Sequence, residues 1–148
     1  MTIRHLAALA AAAVLITGCS SGGAASVIER VSGPEKNATY ETIENLRDAA
    51  VEAGVMCPDW EQTNNMKFAA ASGECSDVTS MSIYSSPGAL DNQLEGMVEA
   101  RELLTELLDG DTSTLDENEP VLVGPNWIIN APNPAAIQQK LGGTLQKW

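Results

Sequence analysis

Residues 66–85 read MKFAAASGECSDVTSMSIYS. Met66, Phe68 and Ala70 alternate with other residues, as do Met81 and Ile83. A period of two is the mark of a strand with one buried face. This predicts a strand over Met66–Ala71 and a second over Val78–Ser85. Between them Ser-Gly-Glu-Cys-Ser-Asp supplies turn chemistry. The expectation is a hairpin with Cys75 near its tip.

The flanks read as helices. Upstream, TYETIENLRDAAVEA (39–53) places Ile43, Leu46, Ala50 and Ala53 at helical spacing. Thr39 is the expected N-cap, Glu41 and Glu44 suit the positive end of the helix dipole, and Gly54 is the expected stop. Downstream, Ser86-Pro87 reads as cap plus first helical residue. Leu90, Leu94, Met97, Leu104 and Leu108 then form an apolar stripe that Leu103 and Leu107 widen, ending at Gly110. A leucine stripe of this spacing predicts core.

VLVGPNWIINA (121–131) reads as a third strand region, interrupted by Gly124-Pro125 as at a bulge or sheet edge. Trp127, Ile128 and Ile129 are consecutive and apolar, so both faces should be covered. Asn133-Pro134 opens a short third helix with Ile137 and Leu141 inward, stopped by Gly142-Gly143. TLQKW (144–148) is a candidate last strand.

The predicted fold class is α+β: a two-layer α/β sandwich of three mainly antiparallel strands, or four if Thr144–Trp148 rejoins the sheet. The helices are expected on one face. A right-handed crossover through the second helix predicts strand order 2-1-3, with the Ala-rich FAAA strand central.

The N-terminus carries a different kind of information. After Arg4 and His5, Leu6–Ile16 is an unbroken apolar run of eleven residues. Spanning a bilayer takes about 20, so this run has the length of a signal-peptide core. It ends Ile16-Thr17-Gly18-Cys19 and gives way to Ser-Ser-Gly-Gly. These four residues resemble the lipobox of bacterial lipoproteins. The resemblance implies a diacylglyceryl thioether on Cys19, cleavage after Gly18, and Cys19 as the mature N-terminus. Two acyl chains suffice for stable attachment where one is marginal. The implied localisation is the extracytoplasmic face of the bacterial cell membrane, with the membrane itself as a partner through the anchor on Cys19.

Residues 1–18 are then signal peptide, 19–38 a lipidated Cys and flexible tether, and 39–148 one domain. The Ser-, Gly- and Ala-rich tether has an r.m.s. span of about 25 Å. Loss of Arg4 leaves 7 basic side chains against 20 acidic ones, a net charge of −13. A basic footprint for nucleic acid is therefore missing, and anionic headgroups would repel this surface. With Cys19 assigned to lipid, Cys57 and Cys75 form an even pair in an oxidising compartment. The expectation is a disulfide; a redox or metal pair is the alternative, disfavoured by the lack of a C-x-x-C.

Downstream of the tether the chain resembles small secreted lipoproteins of actinobacteria. Gly73 and Cys75, Gly-Pro-Asn-Trp at 124–127, and Leu-Gly-Gly at 141–143 carry that resemblance. It implies no activity. The lone histidine, His5, leaves with the signal peptide. A Ser-His-Asp or Cys-His machine is thereby excluded from the mature chain, and no phosphate loop, dinucleotide loop or zinc spacing is present. No cofactor is expected. The acidic stretch DGDTSTLDENEP (109–120) fails the calcium-loop pattern, with Thr114 at the glycine position and Pro120 at the closing glutamate.

The expected function is a non-enzymatic binding module of the envelope, facing an envelope protein or glycan. Candidate contact residues are Trp60, Asn126, Trp127 and Trp148, each with core or edge packing as the alternative. A surface inhibitor or exclusion factor against a secreted hydrolase or phage is the second reading.

Overall fold

The computed structural model describes residues 33–76, 78–107 and 120–147. Residues 1–32, which hold the expected signal peptide and most of the expected tether, the acidic stretch over 108–119 and Trp148 lie outside the described residues.

The hairpin forms, but its first strand lies further along the chain than the alternation suggests. Strand β1 is Ala71–Ser76 and β2 is Thr79–Ile83, paired antiparallel with Ala71 opposite Ile83 and Ser76 opposite Thr79. So short a connection draws SGECS out of the turn and into the ladder. Met66–Ala69 then fall beyond the end of β2, where Ala70 N–H still reaches the Ile83 carbonyl at 2.8 Å. The ladder slips by one residue between Glu74 and Ser76, a bulge centred on Cys75.

A second hairpin joins β3 (Val121–Val123) to β4 (Trp127–Asn130) through Gly124-Pro125-Asn126. The expected single strand is thus two, because Gly124-Pro125 reverses the chain rather than kinking it. Strand β5 (Thr144–Gln146) pairs with β3. The sheet has five strands in the order β1-β2-β4-β3-β5, and every pair is antiparallel. The expected count of three or four and the order 2-1-3 do not hold. β4 lies centrally, β1 is an edge strand, and Phe68-Ala69-Ala70 precedes β1.

The helices follow their caps. α1 spans Ile43–Ala53, capped by Thr42, whose Oγ1 accepts from Asn45 N–H at 3.2 Å. The cap is Thr42, not Thr39. Gly54 closes the helix in the left-handed region at φ 109°. α2 spans Pro87–Leu107, with Ser86 Oγ accepting from Ala89 N–H. α3 spans Pro134–Leu141 and stops at Gly142-Gly143, both with positive φ.

Two cores result, one on each face of the sheet. Trp127 and Ile129 of β4 point to one face with Met81, Ile83 and Leu122, where Leu46 and Ala50 of α1 and Ile137 and Leu141 of α3 cover them. Ile128 points to the other, with Tyr84 and Val121, under Leu90 and the half-buried Leu94, Met97 and Phe68. The helices therefore occupy both faces, not one. All three residues of the Trp127-Ile128-Ile129 run are buried, as a central strand between two layers requires.

α2 departs furthest from its pattern. Leu90 is its one buried residue; Leu103 is 60% exposed and Leu107 78%, with Val98 and Leu104 also exposed. The stripe is continuous, yet only its N-terminal part meets the sheet. At about 1.5 Å per residue, α2 is roughly 31 Å long, far longer than the three- to six-residue strands beneath it.

Candidate functional site

Cys57 follows α1 by four residues, and Cys75 stands at the bulge of β1. Their sulfurs are bonded, with the Cα atoms 4.7 Å apart. The bond ties the end of α1 to the hairpin and sets up the local geometry. Trp60 lies across β1, half-buried. A Cβ at Gly73 would come within 2.5 Å of its ring, so only glycine fits beneath it. The Arg47 guanidinium carbon sits 5.8 Å from the Trp60 ring centroid. Glu61 bridges to Glu74 by paired backbone hydrogen bonds of 2.9 and 2.8 Å, sheltering part of the open edge of β1.

Beside the disulfide opens an apolar groove of about 390 Å³. Val55, Met56 and Pro58 form one wall; Cys75, Val78 and Ala131 form much of the other. Met56 is 85% exposed and Val78 61%. Sequence reasoning passed over both. The available signal was apolar residues in connecting positions, immediately after a helix-stopping glycine and inside a two-residue turn.

The sequence-predicted contact residues do not converge on one patch. Trp127 is 0% exposed. Its Nε1 donates to the Ala38 carbonyl at 2.9 Å, and its ring lies 6.3 Å from that of Tyr40. Trp127 belongs to the core. Asn126 is committed as well: Oδ1 accepts from Tyr40 N–H at 3.0 Å, and Nδ2 donates to the Tyr40 carbonyl at 2.8 Å. Trp60 keeps part of its surface open. Trp148 lies outside the described residues.

Two tyrosines have altered acidity. Burial pushes the Tyr84 phenol up, opposed by its 2.9 Å hydrogen bond with Ser82. Burial also raises Tyr40, helped by the nearby charges of Glu52 and Glu35. Both phenols therefore stay protonated through neutral pH. Tyr40 Oη, Thr63 Oγ1 and Gln93 Oε1 are buried with no hydrogen-bond partner among the described residues. Gln93 borders a shallow polar depression with Lys67, Phe68 and Glu99, and the Lys67 ammonium lies 5.0 Å from the Phe68 ring centroid.

Among the described residues no three His, Cys, Asp or Glu side chains are placed to hold a metal ion. No helix among them is long and apolar enough to cross a membrane. Comparison with protein-family models, curated proteins and solved structures finds no match to this chain.

Proposed function

We propose that the protein is a lipid-anchored, extracytoplasmic lipoprotein that acts as a non-enzymatic binding module of a bacterial envelope. One observation carries the reading: a lipobox-like Ile16-Thr17-Gly18-Cys19 precedes a domain braced by the Cys57–Cys75 disulfide. The third cysteine is thereby left for the lipid, and the bonded pair suits an oxidising compartment. The apolar groove lined by Met56 and Val78 supports a binding role, since exposed apolar surface rimmed by polar residues marks interaction sites. The Ser-, Gly- and Ala-rich sequence that follows Cys19 suits a tether that would hold that surface near the membrane.

Metabolic labelling with a radioactive fatty acid tests the anchor. Wild type incorporates label and Cys19→Ala does not; equal labelling of the two ends the proposal. Met56→Glu with Val78→Glu tests the groove: cross-linking in intact envelopes loses the specific adducts formed by wild type, while the melting temperature holds.

A further inference from the structure

The C-terminal half of α2 exposes Leu103, Leu104 and Leu107, an apolar feature that neither the sheet nor the groove explains. Leu103 and Leu107 stand one turn apart, and both are more than half exposed. Leu104 extends the ridge towards the half-buried Met97. Along the adjoining face runs an unbroken acidic row, Asp91, Glu95, Glu99, Glu102 and Glu106, spaced by four, four, three and four residues and exposed throughout. Such spacing brings like charges onto one stripe of the helix. Glu102 and Glu106 also face the negative end of the helix dipole, and the last turn of α2 holds no basic residue. Both features work against the helix standing alone, and a cation laid beside the row relieves both.

We propose that the Leu103–Leu107 ridge with its acidic flank docks a cationic amphipathic helix of a partner protein. Apolar side chains of that helix rest on Leu103, Leu104 and Leu107, and its Lys or Arg side chains reach Glu99 and Glu106. Charge selects this occupant. A second copy packed on the same ridge would set acidic row against acidic row, on chains already at −12 overall. A lipid surface with anionic headgroups is repelled by the same row, and helices that lie on membranes present several basic residues; α2 carries only Arg101. The proposal deepens the binding-module reading by naming the chemistry of the partner.

The test uses the purified full-length chain and two synthetic peptides of about 20 residues. One has Leu at the core heptad positions and Lys elsewhere; the other has Glu in place of Lys. By calorimetry the cationic peptide binds and the anionic one does not. Affinity falls several-fold between about 0.05 and 0.5 M salt as the Debye length shortens. Leu103→Glu with Leu107→Glu weakens binding at least tenfold without changing the melting temperature, and Glu99→Lys with Glu106→Lys weakens binding of the cationic peptide several-fold and flattens its salt dependence. Equal binding of both peptides, or affinity untouched by either double variant, overturns the proposal. So does a dimer in sedimentation equilibrium, or attachment to phosphatidylcholine vesicles, that Leu103→Glu with Leu107→Glu abolishes. Failure here leaves the fatty-acid labelling intact, whereas failed labelling leaves peptide binding intact, so the two readings fall separately.

Discussion

Asn126 holds the backbone of Tyr40 at both ends, accepting from its N–H at 3.0 Å and donating to its carbonyl at 2.8 Å across 86 residues of sequence. One side chain thereby satisfies a donor and an acceptor on the segment leading into α1, and fastens it to the β3–β4 turn. Asn126→Ala leaves both groups unpaired at a half-buried site, and each such loss costs about 1–3 kcal/mol. The expected result is a drop of that order in unfolding free energy, read from urea denaturation. Asn126→Asp keeps the acceptor and loses the donor, so it falls between wild type and Ala.

The disulfide closes a loop of 18 residues in sequence separation between the end of α1 and the β1 bulge. Loop closure of this length is worth roughly 3 kcal/mol. Cys57→Ser with Cys75→Ser is expected to lower the melting temperature by roughly 10 °C. A reductant lowers that of wild type towards the same value and leaves the double variant unmoved.

Gly124 is confined by packing rather than by φ. A Cβ there would overlap the Trp127 indole, and Gly124 N–H is held to the Trp127 carbonyl at 2.8 Å, so the backbone cannot step aside. Gly124→Ala is expected to cost at least about 1–3 kcal/mol by overpacking. Trp127→Leu removes the obstacle and creates a cavity instead. In the double variant the alanine no longer clashes, so a double-mutant cycle by denaturation shows a favourable coupling.

Alkali should weaken the fold. Burial raises the folded-state value of Tyr84 above 10.0, so the native state favours the protonated phenol. That contribution is fully present below the unfolded value and is lost as pH rises through the folded one. Tyr40 acts in the same direction. Unfolding free energy measured from about pH 8 to 11 is expected to decline above about 10. Tyr84→Phe flattens the decline and costs on the order of 1 kcal/mol near neutral pH through the lost Ser82 hydrogen bond. Adding Tyr40→Phe flattens it further.

The sequence alone determined whatever depends on near neighbours. The C-terminal stop of α1 at Gly54, the extent of α3, the break at Gly124-Pro125, the return of a last strand and the pairing of Cys57 with Cys75 all rest on spacing, glycines, prolines or a count of thiols, whereas the start of α1 fell at Thr42 and not at Thr39. Tertiary structure decided what depends on partners far along the chain. The Cys75 hairpin shifted towards its turn because Thr79–Ile83 could not reach Met66. The strand order followed from β4 pairing with β2, a choice of neighbour that the helical pattern of the connecting α2 does not encode. Trp127 is core because Ala38 and Tyr40 close over it, which no local spacing reveals. Periodicity also marked an apolar face along the whole of α2, but of that face only Leu90, Leu94 and Met97 join the core beneath. An amphipathic pattern records which side of a helix avoids water and is silent on what lies opposite, so the exposed half of α2 emerged only from the folded chain.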